Sequence, residues 1–170
     1  ISSNKTFISA YALVKLFSSY NGPIIRVQRN NDNYETDIYF DKNGNTYLIE
    51  NEYTTDLETW LNGQTAKIIK WYDQSSSENH LISTNGKEPQ LKLNDDITIL
   101  GKYKVLFSIA DDNEDYLFNN NLSNFSTVNN QDHTILSGYE FSTSGNSTNL
   151  FSIHNNTSNG GDVIRFDPSG

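Results

Sequence analysis

The sequence predicts an all-β protein, a two-sheet antiparallel sandwich with one or two short helices. Segments rich in Tyr, Phe, Ile and Val recur roughly every 10–15 residues, as in sandwiches, and Asn-, Gly- and Ser-rich turns separate them. Helical patterns are confined to two places. We expect one domain over residues 1–170. We also expect it to be incomplete at its C-terminus. Because the chain starts at Ile1 and contains no Met, it is either a processed or recombinant product or one segment of a longer polypeptide, and we expect the last of these.

Two helices are predicted in the first half of the chain. Residues 9–19 place four apolar side chains on one face, and the sequence Asn-Gly-Pro at 21–23 ends this pattern. Residues 56–61 form a shorter pattern, with Asp56 near its N-terminus and Asn62-Gly63 after its end.

The remaining regular segments are predicted strands. In the first of them, Arg26 and Gln28 alternate with Ile25 and Val27, which indicates one buried and one exposed face. Residues 41–45 are predicted as a hairpin-like turn, and the Asn-rich run 119–130 as an exposed loop. The predicted strands cover residues 24–28, 36–40, 66–72, 90–93, 104–109, 116–118, 134–142, 150–153 and 163–166.

Composition excludes several classes of function. The net charge of −9 and the pI of about 4.6 argue against a nucleic-acid groove and against binding to an anionic membrane surface. No apolar run approaches the roughly 20 residues that a membrane-spanning helix needs. The chain has no cysteine, so thiol catalysis and zinc–thiolate sites are excluded. Asn is abundant, which fits either an AT-rich genome or a hydrogen-bonding surface suited to glycans.

The most informative stretch runs from residue 66 to residue 81. A strand with Ile68, Ile69 and Trp71 predicted as buried leads into a polar loop. We consider Trp71, Tyr72, Asp73 and Gln74 as candidate ligand-binding residues, because aromatic faces stack on sugar rings while carboxylates and amides bond sugar hydroxyls. The alternative is structural: Trp71 lies in the core, and the two polar side chains fix the loop through backbone hydrogen bonds.

Asn79 and His80 close the same loop and are the other candidate ligand-binding residues. His80 has the chemistry of a catalytic base or a metal ligand. No Ser–His–Asp pattern accompanies it, and His133 and His154 lie in separate segments without ligand spacing. A hydrogen bond that closes the loop is the structural alternative.

The densest acidic cluster contains a weak candidate for a metal site. Asp111, Asp112 and Asp115 have the density of carboxylates that can hold Ca²⁺, but the spacing differs from that of an EF-hand loop. A solvated turn is the alternative interpretation. No other cofactor is predicted.

Three segments together resemble a known family. They are Ala-Tyr-Ala-Leu-Val-Lys-Leu at 10–16, Gly-Pro-Ile-Ile-Arg-Val-Gln-Arg at 22–29 and Trp-Tyr-Asp-Gln-Ser-Ser-Ser-Glu-Asn-His at 71–80. They are similar to the N-terminal half of the catalytic domain of fungal arabinofuranosidase B, with its GP-x-I/L-x-V/L-x-R strand and WYDQSGNGNH loop. Similar modules occur in phage and virus surface proteins. The resemblance covers roughly residues 9–93 and implies a sandwich of concanavalin-A-like or laminin-G-like type.

The resemblance also implies what this chain lacks. The family's catalytic carboxylates lie in a C-terminal E-G-A-I-x-L-G and G-D-N-S segment, which this sequence does not contain, and its adjacent cysteine pair is also missing. Glycosidases need two carboxylates at a set separation across the cleft. We therefore predict no catalytic residues in this chain.

We expect a non-catalytic recognition or structural module of an extracellular or virion-surface protein, such as a phage or viral fibre, tail or capsid-decoration protein. Its expected partners are cell-surface glycans, bound in a lectin-like manner, and other subunits of the surface assembly. Two alternatives stay open: an arabinofuranosidase-like glycoside hydrolase whose catalytic half lies beyond residue 170, and a purely structural packing domain.

Overall fold

The computed structural model describes residues 9–40, 45–50, 53–93, 103–107 and 115–119, together with the backbone of residues 148–152 and 163–166. The chain divides into two compact units, Ile1–Asn129 and Asn130–Gly170. The candidate site residues placed by the structure belong to the first unit.

The first unit is built on one antiparallel sheet of eight strands, in the order β4-β3-β2-β1-β5-β7-β8, with β6 paired beside β5. In the second unit, β9 pairs with β10, also antiparallel. The all-β antiparallel class predicted from the sequence is confirmed. The strands are β1 (Ile25–Arg29), β2 (Glu35–Phe40), β3 (Thr46–Glu50), β4 (Tyr53–Thr55), β5 (Ala66–Trp71), β6 (Leu81–Ile82), β7 (Gln90–Leu93), β8 (Tyr103–Leu106), β9 (Thr148–Ser152) and β10 (Val163–Phe166).

The short predicted helix is confirmed as α1 (Leu57–Leu61). The Asp56 side chain accepts a hydrogen bond from the backbone N–H of Thr59 at 2.9 Å, which caps the first turn. At the other end, Asn62 adopts the left-handed conformation with φ of 48°. Within the described residues, no helix is long and apolar enough to cross a membrane.

The predicted helix over residues 9–19 is wrong: this segment is irregular, with a bend and a turn but no helix. A helix needs its own N–H and C=O groups for internal bonds, and here the Gln74 side chain binds them instead. The Leu16 N–H donates to Gln74 Oε1, and Gln74 Nε2 donates to the Val14 carbonyl, both at 2.8 Å. The Ala10 carbonyl accepts from the Gln74 backbone N–H at 2.8 Å. We term residues 9–22 the strap.

The core lies on one face of the sheet, where the buried residues of α1 join those of the strands. Alternate residues of β1, Ile25 and Val27, are buried as predicted. The buried apolar residues are Ile24, Ile25, Val27, Ile38, Leu48, Leu57, Trp60, Ala66, Ile68, Leu91 and Tyr103.

A register shift in β5 changes which side chains face this core. Arg26 pairs with Lys70 while Val27 pairs with Ile68, so Ile69 is an extra residue between the two pairs. The bulge puts Trp71 on the core side and Lys70 on the opposite side. Ile69 and Trp71, both predicted as buried, are only half-buried, because Ile69 is displaced by the bulge and the Trp71 indole lies at the margin of the core.

Other boundaries differ modestly from the predictions. Strands β3, β4 and β6 had no clear alternation in the sequence and were not predicted. The predicted strand at 116–118 reduces to one bridge between Phe118 and Ile82. The predicted turn at 41–45 (apart from Asn45), most of the loop at 119–130 and the whole strand at 134–142 lie outside the described residues.

Candidate functional site

Asp73 is the centre of a buried hydrogen-bonded loop. Its side chain is 1% exposed. Oδ1 accepts from the backbone N–H groups of Ala10 and Ser75, each at 2.8 Å. Oδ2 accepts from the Asn79 N–H at 2.9 Å and from the Ser75 hydroxyl at 2.8 Å. Four donors therefore satisfy the carboxylate, and they tie residues 73–79 into a closed loop that we term the clasp.

Gln74 connects the clasp to the strap. Its side chain is 4% exposed, and its amide bonds the strap backbone at Leu16 and Val14. The Trp71 indole Nε1–H also points to the strap, donating to the Ala12 carbonyl at 3.4 Å. The side chains of Trp71 and Gln74 thus take the place of the helix's own hydrogen bonds in holding residues 12–16.

Asn79 is the last residue of the clasp, and His80 bonds back to its first residue. Asn79 is 4% exposed, and its backbone carbonyl accepts a hydrogen bond from the Tyr11 hydroxyl. His80 Nδ1 accepts from the Asp73 backbone N–H at 3.1 Å, which requires an unprotonated Nδ1. Burial, followed by the nearby Lys70 charge, lowers the pKa of the His80 imidazole.

One clasp residue is held in an unfavourable backbone conformation. Glu78 has φ of 52°, in the left-handed region that favours glycine. The arabinofuranosidase motif WYDQSGNGNH has glycine at this position, so the loop keeps the backbone shape suited to glycine although this chain carries Glu.

Tyr72 differs from its neighbours because it points away from the core. Its hydroxyl donates to Asp37 Oδ1 at 2.8 Å, and Lys70 Nζ lies 4.4 Å from the centroid of its ring. The His80 ring packs edge-on against it at 5.0 Å. Burial and the bond to Asp37 raise the pKa of the Tyr72 phenol, so it remains a donor at neutral pH.

Tyr72 belongs to a polar and aromatic surface on the side of the sheet opposite the core, which we term the outer face. Asp37 Oδ1 and Oδ2 accept from Arg26 Nε at 2.9 Å and Arg26 Nη2 at 3.1 Å, a bidentate pair. On the neighbouring strands, the rings of Tyr39 and Tyr47 stack with centroids 5.4 Å apart. The outer face comprises Arg26, Asp37, Tyr39, Tyr47, Lys70 and Tyr72.

Sequence reasoning did not identify the outer face, except for Tyr72. The alternation of Arg26 with buried neighbours was visible, and the same alternation in β2 places Asp37 and Tyr39 on one side. Only the strand pairing, with Arg26 opposite both Asp37 and Lys70, brings these side chains together.

The predicted metal cluster is only partly described. Asp115 is half-buried, while Asp111 and Asp112 lie outside the described residues. Within the part of the chain that the structure describes, no three acidic or histidine side chains form a group that could hold a metal ion.

Comparison with known proteins finds one family. The family model described as alpha-L-arabinofuranosidase B, catalytic, matches residues 2–106. This match confirms the resemblance drawn from the strap, β1 and clasp segments, and it ends at the last residue of β8. No curated protein and no solved structure matches the chain.

Proposed function

The chain belongs to the alpha-L-arabinofuranosidase B catalytic-domain family, and on that premise we propose that it is a carbohydrate-recognition module. The outer face is the observation that carries this proposal. It combines half-buried tyrosine rings with a carboxylate–guanidinium pair and an ammonium group. Sugars have apolar ring faces and vicinal hydroxyls, so they bind where aromatic surface and fixed polar groups lie together.

The buried members of the clasp do not offer this chemistry. Asp73, Gln74 and Asn79 are almost fully buried, and the Asp73 oxygens already accept four hydrogen bonds. A ligand would have to replace these internal partners at the cost of leaving the strap unsupported. We therefore assign glycan contacts to the outer face, including Tyr72, and assign a structural role to the clasp.

Glycoside hydrolysis is the second candidate function, because the matched family is a catalytic one. The geometry of Asp73 speaks against its use as the acid or base, since a proton-transferring carboxyl must reach the substrate. We expect no turnover of an aryl arabinofuranoside by this chain. Turnover that is lost on replacing a single carboxylate would establish the hydrolase instead.

We also propose that the module acts in an extracellular or virion-surface assembly with other subunits, where repeated weak sugar contacts gain strength through avidity. The net charge of −9 supports an uncharged partner over a phosphate backbone.

Two binding measurements test the proposal: calorimetric titration with arabinan oligosaccharides, and affinity electrophoresis in gels that contain arabinan. We expect a Kd of about 1 mM, equivalent to about −4 kcal/mol, as suits contact with a single ring. Duplex DNA serves as the control polymer and should not bind. Absence of retardation by arabinan, or binding of DNA that weakens with salt, would contradict the proposal.

A further inference from the structure

A small depression lies between the strap and strands β2 and β3. Its cavity volume is about 60 Å³, and it is open to solvent. This is well below the roughly 300 Å³ of pockets that enclose a ligand, so the depression can take one side of a single ring, with the rest of the ligand in solvent. The residues relevant to binding are Lys15, Tyr20, Asn21, Gly22, Tyr39 and Tyr47.

The two sides of the depression differ in chemistry. Tyr39 and Tyr47 form a stacked pair, with an angle of 21° between the ring planes, and supply aromatic surface. On the strap side, Lys15 Nζ donates to Asn21 Oδ1 at 3.2 Å, which leaves the ammonium two further hydrogen-bond donors. A ring with one apolar face and several hydroxyls matches both sides.

The shape of the strap side is fixed by local contacts. The Tyr20 hydroxyl donates to the Pro23 carbonyl at 2.6 Å, and its oxygen lies only 2.6 Å from the position that a Cβ on Gly22 would occupy. Glycine is therefore needed for Tyr20 to lie in this place. At its other end, the strap is held by Gln74, as described above.

We infer that this depression is a binding site for one sugar ring at the end of a glycan, with the tyrosine pair stacking against the ring and Lys15 and Asn21 bonding its hydroxyls. The inference rests on the proposed carbohydrate recognition and gives it a location at the strap end of the outer face. It also makes the strap, which the clasp holds in place, part of the site.

Calorimetric titration with an arabinan oligosaccharide tests the site through Tyr47→Ala and Lys15→Ala. Tyr116→Ala and Lys92→Ala are matched controls, because both residues are exposed and lie outside the depression. We expect Tyr47→Ala to weaken binding at least tenfold, Lys15→Ala to weaken it several-fold, and the controls to bind like the wild type. Tyr47→Phe keeps the ring and should retain most of the affinity.

The outcomes separate the site from the function. If the wild type binds and both Lys15→Ala and a folded Tyr47→Ala bind equally well, the site is refuted while carbohydrate recognition stands. If the wild type does not bind, both are refuted. Should Tyr47→Ala fail to fold, Lys15→Ala and Asn21→Ala decide the question, since these partly exposed strap residues lie outside the core, and unchanged affinity in both would refute the site.

Discussion

The Asp73 carboxylate accepts a hydrogen bond at 2.8 Å from the backbone N–H of Ala10, a residue 63 positions earlier in the chain. This contact joins the strap to the loop after β5. Together with the three donors inside the loop, it gives the Asp73 carboxylate four hydrogen bonds. These bonds explain why an acidic side chain lies almost completely buried without an ionic partner.

Replacing Asp73 tests the structural role of the clasp. In Asp73→Asn, the NH₂ group replaces either Oδ2, where it faces the N–H of Asn79, or Oδ1, where it faces the N–H groups of Ala10 and Ser75. At least one bond is therefore lost, and two donors oppose each other. We expect the free energy of unfolding to fall by about 1–3 kcal/mol in urea titrations. Glu35→Gln, at an exposed position, is the control and should change it by less than about 0.5 kcal/mol. Equal stability of the two variants would contradict the structural role of the clasp.

The pH dependence of stability tests the neutral state of His80. Because burial lowers the folded-state pKa of His80 below its ordinary value of 6.5, the unfolded chain binds more protons in the interval between the two values. The contribution to stability is present above about pH 6.5 and is lost as the pH falls through the folded-state pKa. Lys70, Asp73, Glu78 and the Tyr72 ring surround the imidazole.

Melting temperatures between pH 7.5 and pH 5 measure this effect. Wild type should lose more stability over this interval than His80→Gln, which cannot titrate there. The other histidines, His133 and His154, are the same in both proteins and cancel in the comparison. Parallel curves for the two proteins would show that His80 is not linked to folding.

Glu78→Gly should stabilise the chain. A non-glycine residue in the left-handed region costs roughly 1–2 kcal/mol, which glycine would relieve. The extra flexibility of glycine in the unfolded chain offsets about 0.5–1 kcal/mol of this stabilisation. We therefore expect a net increase of about 0.5–1 kcal/mol in the free energy of unfolding. Glu78→Ala removes the same carboxylate but keeps the strained backbone, so it should show no such gain. A glycine variant no more stable than the alanine variant would contradict this.

Hydrogen exchange tests whether Gln74 holds the strap. The Leu16 N–H is protected by Gln74 Oε1, and loss of a bond worth about 1 kcal/mol corresponds to roughly fivefold faster exchange. We expect Gln74→Ala to accelerate exchange at Leu16 but not at the core residue Val27. Gln64→Ala, at an exposed position, is the control. Unchanged exchange at Leu16 would mean that another contact secures the strap.

The sequence allowed the local structure to be predicted where local chemistry decides it. Asp56 and Asn62 bracket α1 with side-chain and backbone caps that are visible in the sequence. Residues 9–19 have an equally clear helical pattern. The prediction failed there because partners about 60 residues away bind the backbone groups of the strap, and no local pattern reveals such contacts.

The same reasoning explains the outcome for the candidate site. The stretch from Trp71 to His80 was singled out in the sequence as a candidate site, but its residue types fit both a sugar site and a loop held by backbone bonds. The position of Asp37 beside Tyr72 depends on strand order, and that of Lys70 on the bulge at Ile69. The sequence displays neither.

Chemical-shift mapping tests the central claim most directly, namely that the outer face binds carbohydrate while the clasp is structural. The measurement is a titration of ¹⁵N-labelled protein with arabinan oligosaccharide. We predict that the largest shifts fall on the amides of Lys15, Asn21, Tyr39 and Tyr47, with small changes at residues 75–79. The largest shifts at residues 75–79, with none at Tyr39 and Tyr47, would contradict the account.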